Sequence, residues 1–352
     1  MATTTLGAEA ASVGPCLATA LDDSRWLACT LALIAGGKSN LTYLVTSPAG
    51  QVVLRRPPLG NVLPTAHDMV REHTVISALS STPVPVPAAL LLCTDPAVLG
   101  APFHVMSYVP GPIAKLSLPP GYADEPAGRQ AIADGLVEVL ARLHAVDVDS
   151  VGLGDFGRPR GFLARQVRRW VGQWQASQSA DLPALDVLAD DLAASVPDSP
   201  APTVVHGDYK LDNVVLDPER PGAIAAVLDW EMSTIGDPLT DLGLLLVYWT
   251  EPGDDAAAAG YGAAVLGGPP VTVLPGFPTR AALTARYADL TGRDLSALPW
   301  YVSFACFKLA VVVAGIVARH RAGAMIGDGF DGIGAALEPL VARGHAALAG
   351  AS

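Results

Sequence analysis

Polar and apolar positions follow one rhythm over the first hundred residues and another beyond residue 110. Cys29 to Ile34 is an apolar run of strand length, and the turn-forming cluster Gly36-Gly37-Lys38-Ser39-Asn40 follows it. Leu41 to Thr46 predicts a second strand, Ser47-Pro48-Ala49-Gly50 a hairpin turn, and Gln51 to Arg56 a third strand. Pro57-Pro58 ends it, because proline has no N–H for a sheet ladder. Residues 65–80 place Val70, Val75, Ile76 and Leu79 at helical spacing, with Thr65 as N-cap. After the extended stretch through Pro83, Pro85 and Pro87, Ala89 to Cys93 and Phe103 to Ser107 read as two more strands. The expectation is a five-stranded antiparallel sheet with one inserted helix, behind a helical lead-in over the first 25 residues.

Tyr108-Val109-Pro110-Gly111-Pro112 reads as a hinge. Beyond it the pattern turns helical over 126–146, 161–176, 183–195, 238–250, 278–290, 297–321 and 331–349, broken by a short β-rich stretch at 203–230. The predicted fold is α+β and bilobal. A small antiparallel β-sheet N-lobe spans 1–107, a hinge 108–112, and a large, mainly helical C-lobe 113–352. Val302 to Ala318 is apolar enough to imitate a membrane span. It is about 17 residues long with Lys308 near its middle, short of the ~20 a span needs, so it reads as a buried core helix.

Composition narrows the classes. Of 352 residues, 51% are hydrophobic, enough for a large core. A net charge of −12 argues against a nucleic-acid partner, which needs a basic face, and against an anionic membrane surface. Cys16, Cys29, Cys93 and Cys306 have no metal-ligand spacing and read as scattered thiols in a reducing cytosol. The N-terminus lacks the basic start and apolar segment of a signal peptide, so the expected compartment is cytoplasmic.

The chemistry concentrates between residues 204 and 243. An apolar strand leads into His206-Gly207-Asp208, Asn213 follows five residues after Asp208, and a second apolar strand from Ile224 to Leu228 delivers Asp229. Phosphoryl transfer needs placed cations, an oriented acceptor hydroxyl and cancelled phosphate charge rather than covalent help from protein. Asp208 suits the role of catalytic base. Asn213 and Asp229 offer hard oxygen ligands of the kind Mg²⁺ takes. The five-residue step from Asp208 to Asn213 equals that of the kinase catalytic loop.

The runs HGDYKLDN and DWEMSTIGDPLTDLG resemble the aminoglycoside phosphotransferase and choline kinase-like family. More narrowly, GGKSNLTYLV, VVLRRPP and GDPLTDLG are similar to the branch related to the kinase-like domain associated with acyl-CoA dehydrogenases, over about residues 28–325. The resemblance implies a protein-kinase-like fold, ATP or GTP with Mg²⁺ as cofactors, and a small-molecule hydroxyl substrate. By the same resemblance Asp208 is the catalytic aspartate, Asn213 and Asp229 are metal ligands, and Asp241 buttresses the catalytic loop. Glu72 is then the ion-pairing glutamate, and Ser39 and Asn40 cover the phosphates. Ser107, at the end of the fifth strand, and Val109, in the hinge, are expected to pair with the nucleotide base. The third strand departs from the pattern: Arg55 stands where a kinase carries lysine. Arginine keeps the charge but adds a planar fork. Arg56 falls on the opposite face by strand alternation.

Three readings compete for the function. A small-molecule kinase, acting on a hydroxyacyl-type metabolite and linked to acyl-CoA metabolism, leads. Aminoglycoside modification and a non-catalytic nucleotide-binding partner of an acyl-CoA dehydrogenase are the alternatives. A protein kinase is disfavoured because no A-P-E signature follows Asp229, and an acyl-CoA dehydrogenase because no flavin signature is present. Residues 276–325 hold Arg280, Arg286, Arg293, Lys308, Arg319 and Arg321 against Asp289 and Asp294. This excess predicts a neutral or anionic acceptor, unless Glu251, Asp254 and Asp255 fold over the same pocket.

Overall fold

The computed structural model describes residues 7–34, 40–59, 68–177, 182–199, 201–254, 268–321 and 332–350. Ser39 and Thr65, singled out above, and Asp255 lie outside these residues. The chain divides into two compact units: Met1–Pro110 with Ala225–Ser233, and Gly111–Ile224 with Thr234–Ser352.

The smaller unit is built on strands β1 (Thr30–Leu33), β2 (Leu41–Ser47), β3 (Gly50–Arg56), β4 (Ala89–Cys93) and β5 (Phe103–Ser107), all paired antiparallel in the order β1-β2-β3-β5-β4. Alternation divides the sheet into two faces. Tyr43, Val45, Val52, Leu54, Phe103 and Val105 point one way and bury with Val13 and Leu17 of helix α1 (Ala10–Ala20). Val53, Arg55, His104 and Met106 point the other way, toward helix α2 (Met69–Leu79). Asp68 caps α2 by accepting the Arg71 N–H at 3.0 Å. A four-residue helix, α3 (Pro96–Leu99), links β4 and β5.

Ala225–Ser233 carries most of strand β8 (Ile224–Val227) and the turn Trp230–Met232. The sequence pattern places it with the helical C-lobe, yet it belongs to the smaller unit. Its bonds explain why: Val227 N–H donates to Pro85 O at 2.8 Å, and Arg71 Nε donates to Ser233 O at 3.0 Å.

The larger unit contains α4 (Pro126–His144), α5 (Phe162–Ser177), α6 (Pro183–Ala194), α7 (Leu239–Tyr248), α8 (Arg280–Thr291), α9 (Leu298–Arg321) and α10 (Leu337–Leu348). Strands β6 (Thr203–Val205) and β9 (Thr234–Gly236) pair antiparallel within it, and β7 (Val214–Leu216) follows the Asp208 loop. The 24-residue α9 is the one described helix long and apolar enough to cross a membrane by length and composition. It is packed against α7, α10, α5 and α6, and 67% of its most apolar stretch is buried within the unit. Gly243 of α7 lets the two helices meet: a Cβ there would stand 2.7 Å from Tyr301 backbone.

Candidate active site

The smaller unit gathers three of the residues marked in the sequence. Strand β3 ends with Arg55 aimed at α2, where its Nη1 donates to Glu72 Oε1 at 2.6 Å; its Nη2 donates to Asp229 Oδ1 at 2.7 Å. Burial opposes the Arg55 charge, but Glu72 and Asp229 outweigh it and hold the guanidinium well above its ordinary pKa. Burial likewise opposes the Glu72 charge, yet Arg55 and then His104 hold that carboxyl down to about 2. His104, paired across the sheet with Arg55, brings Nε2 to 3.3 Å from Glu72 Oε2. Arg56 turns away and donates to Leu99 O at 2.9 Å and to Gly7 O.

Asp229 adopts the left-handed conformation, φ 65°, which costs a non-glycine residue energy and concentrates at functional sites. Burial raises its carboxyl; Arg55 pulls it down, and Glu231 and Glu72 push it up again. Asn40 is buried and donates to Glu231 Oε2 at 2.7 Å. Ser107 ends β5, where its hydroxyl accepts the Ala88 N–H at 2.9 Å, and Val109 is half-buried in the segment after it.

In the larger unit the loop after β6 holds Asp208 and Asn213. Asp208 is half-buried. Its Oδ2 accepts Asn213 Nδ2 at 3.0 Å and lies 2.9 Å from Lys210 Nζ; its Oδ1 accepts the Tyr248 hydroxyl at 2.9 Å. Burial would raise this carboxyl, but Lys210 and Lys308 hold it below the ordinary aspartate range. Asn213 also donates to Asp208 O at 2.9 Å, which leaves its carbonyl oxygen as the end available to a cation.

The loop is fixed from beneath. Asp241 near the start of α7 accepts the His206 N–H at 2.7 Å and the Gly207 N–H at 2.8 Å. His144 Nε2 stands 3.3 Å from the same carboxylate, while its Nδ1 meets Tyr287 Oη at 2.7 Å. Lys308 reaches out of α9 to donate to Gly207 O at 2.6 Å, its ammonium 5.6 Å from the Trp170 ring centre.

The motif spacing does not single out Lys308, Lys210 or Tyr248 as partners of the Asp208 loop. A lone lysine in an apolar helix is a readable signal, since a buried charge needs a partner. Lys210 lies two residues beyond Asp208 and was readable by proximity. Tyr248 carries no local signal.

Four of the six basic residues in the positive stretch at 276–325 make contacts inside the larger unit. Arg280 pairs with Asp254 at 2.7 Å and Glu251 at 3.2 Å, and Arg286 with Glu138 at 2.5 Å and Asp134 at 3.1 Å. Arg293 donates to His144 O at 3.0 Å, and Lys308 is spent on Gly207. Acids distant in sequence thus pair with two of them, Arg280 and Arg286.

A five-stranded antiparallel sheet with a glutamate-bearing helix after its third strand, and a helical unit with an Asp-Asn loop, define the kinase-like phosphotransferase fold. The profile of the phosphotransferase enzyme family matches residues 30–278, and the chain belongs to that family. A Ralstonia eutropha protein assigned as an aminoglycoside phosphotransferase is 32% identical with a TM-score of 0.75, covering 92% of this chain and 93% of that one. A Rattus norvegicus protein, acyl-CoA dehydrogenase family member 11, is 37% identical over 297 residues, 84% of this chain but 37% of its own length. This chain spans only 26% to 39% of the length of its curated relatives of that name series. A thermostable variant of an aminoglycoside phosphotransferase, in ternary complex with ADP and hygromycin B, shares the fold at 16% identity and a TM-score of 0.59, covering 96% and 98%.

Proposed function

We propose that this protein is a small-molecule kinase, moving the γ-phosphoryl group of Mg²⁺-bound ATP or GTP onto a hydroxyl. The observation that carries the reading is the Asp208 carboxylate, ionised and held by Lys210 and Asn213 of its own loop and by Tyr248 at the end of α7. In this reading Asp208 accepts a hydrogen bond from the acceptor hydroxyl and aims its oxygen at the γ-phosphorus. A bond forms from that oxygen to phosphorus, the bond to the β,γ-bridging oxygen breaks, and the hydroxyl proton passes to Asp208. Nucleoside diphosphate leaves with the bridging electrons.

Asn213 and Asp229 are the metal ligands of this reading. Their donors, one amide oxygen and one carboxylate, are hard oxygens that fit Mg²⁺. Asp229 fits further, since Glu231 and Glu72 load its surroundings with negative charge that a cation would offset. Among the described residues no group of three His, Cys, Asp or Glu side chains is arranged to hold a metal ion by itself, and Mg²⁺ commonly takes phosphate and water oxygens besides one or two carboxylates. When bound it supplies neutralisation of phosphate charge. Arg55, kept charged by Glu72, is the residue that would hold the inner phosphates, and the backbone from Ser107 to Val109 would pair with the base.

For the acceptor we favour a hydroxyacyl-type metabolite. The support is likeness to relatives named as acyl-CoA dehydrogenase family members. A coupled ADP-release assay with Mg-ATP should show turnover on hydroxyacyl-coenzyme A compounds and little on aminoglycosides. Turnover of kanamycin-like compounds with none on hydroxyacyl compounds would reverse the acceptor assignment. No phosphoryl transfer to any acceptor, water included, would reject the kinase reading in favour of a non-catalytic partner.

A further inference from the structure

Tyr248 is the last residue of α7, and that helix end is fastened on both sides. Arg343 of α10 donates to Leu246 O at 2.8 Å and to Val247 O at 3.0 Å, and Trp249 Nε1 donates to Pro278 O at 2.9 Å. From this anchored position the phenol hydroxyl reaches Asp208 Oδ1 at 2.9 Å. The ring does a second job: Lys210 Nζ sits 4.6 Å from its centre while staying 2.9 Å from Asp208 Oδ2. A cation over an aromatic face is attracted by the ring quadrupole. One tyrosine therefore grips one carboxylate oxygen directly and seats the lysine that grips the other. The terminal torsion of aspartate is broad, so a carboxylate held on one oxygen alone would swing.

We propose that Tyr248 is a positioning residue for phosphoryl transfer, setting the rotation of the Asp208 carboxylate and seating Lys210 beside it. The proposal rests on the kinase reading, because the carboxylate it orients is the one assigned to the acceptor hydroxyl. Loss of orientation should slow turnover without weakening nucleotide binding.

Tyr248→Phe keeps the ring and its lysine but removes the hydroxyl. With Mg-ATP and water as acceptor, we expect kcat to fall about tenfold, the worth of one hydrogen bond to a charged group, with KM for ATP unchanged. Tyr248→Leu also removes the seat of Lys210 and should fall about tenfold further. A second readout needs no turnover. Tyr248→Phe should lower the urea unfolding midpoint more in the wild-type background than in Asp208→Ala, where this acceptor is gone. An unchanged kcat in Tyr248→Phe, or equal midpoint losses in both backgrounds, would overturn the proposal. Absence of phosphoryl transfer by the wild-type protein to water and to every acceptor tested would instead overturn the kinase reading and the catalytic half of this inference with it, while the unfolding cycle would still decide whether the clamp exists.

Discussion

Replacing Glu72 by glutamine tests the buried cluster of the smaller unit through pH. The wild-type carboxyl falls from an ordinary 4.5 to about 2. At ~1.4 kcal/mol per pH unit, that drop corresponds to ~3 kcal/mol of stability from the ionised form. The independent expectation for removing one partner of a buried ion pair is about 3–5 kcal/mol, of the same order. The sign follows from the depressed pKa. The contribution is fully present above the unfolded-state value of 4.5 and is lost as pH falls through the folded value of about 2. Glu72→Gln should therefore be ~3 kcal/mol less stable than wild type at neutral pH, with Arg55 still paired to Asp229. The gap should narrow steadily below pH 4.5 and approach zero near pH 2. Urea unfolding of both proteins at stepped pH values gives the difference directly, and the common titration of other carboxylates cancels. A gap of the same size at pH 7 and pH 3 would show that Glu72 stabilises by packing or by a neutral hydrogen bond, and the ion-pair reasoning would be wrong.

Three further outcomes follow from the same contacts. Asp208→Asn should lower turnover by about 10²–10⁴ while leaving nucleotide affinity near wild type, checked by ADP release and calorimetry. Asp241→Asn replaces one carboxylate oxygen with an N–H donor facing the His206 and Gly207 N–H groups, so thermal or urea unfolding should show a loss of about 2–4 kcal/mol. Gly135→Ala would drive a methyl to 1.9 Å from Gly222 O, and because the obstacle is backbone, calorimetry should find the variant destabilised by more than about 2 kcal/mol.

Much of this protein is legible in one dimension. Period-two runs place β2 through β5 close to their observed limits, and period-3.6 runs do the same for α4 to α9, because burial of one face is a local property of spacing. The step from Asp208 to Asn213, and the strand that ends at Asp229, are likewise local. Alternation alone separates Arg55 from Arg56, and the two do bond in opposite directions.

What spacing could not supply is the identity of partners far apart in the chain. Arg280 and Arg286 look like an open basic surface until Glu251, Asp254, Asp134 and Glu138 arrive from other elements. Lys308 looks like a flaw in an apolar helix until α9 packs beneath the Asp208 loop, and Tyr248 is one more aromatic until α7 ends beside it. The segment Ala225–Ser233 reads as part of the helical half, yet its hydrogen bonds are made to Pro85 and Arg71. Periodicity encodes which face of an element is buried; the partner of a charge depends on where packing brings distant elements together, and only the tertiary structure decides that.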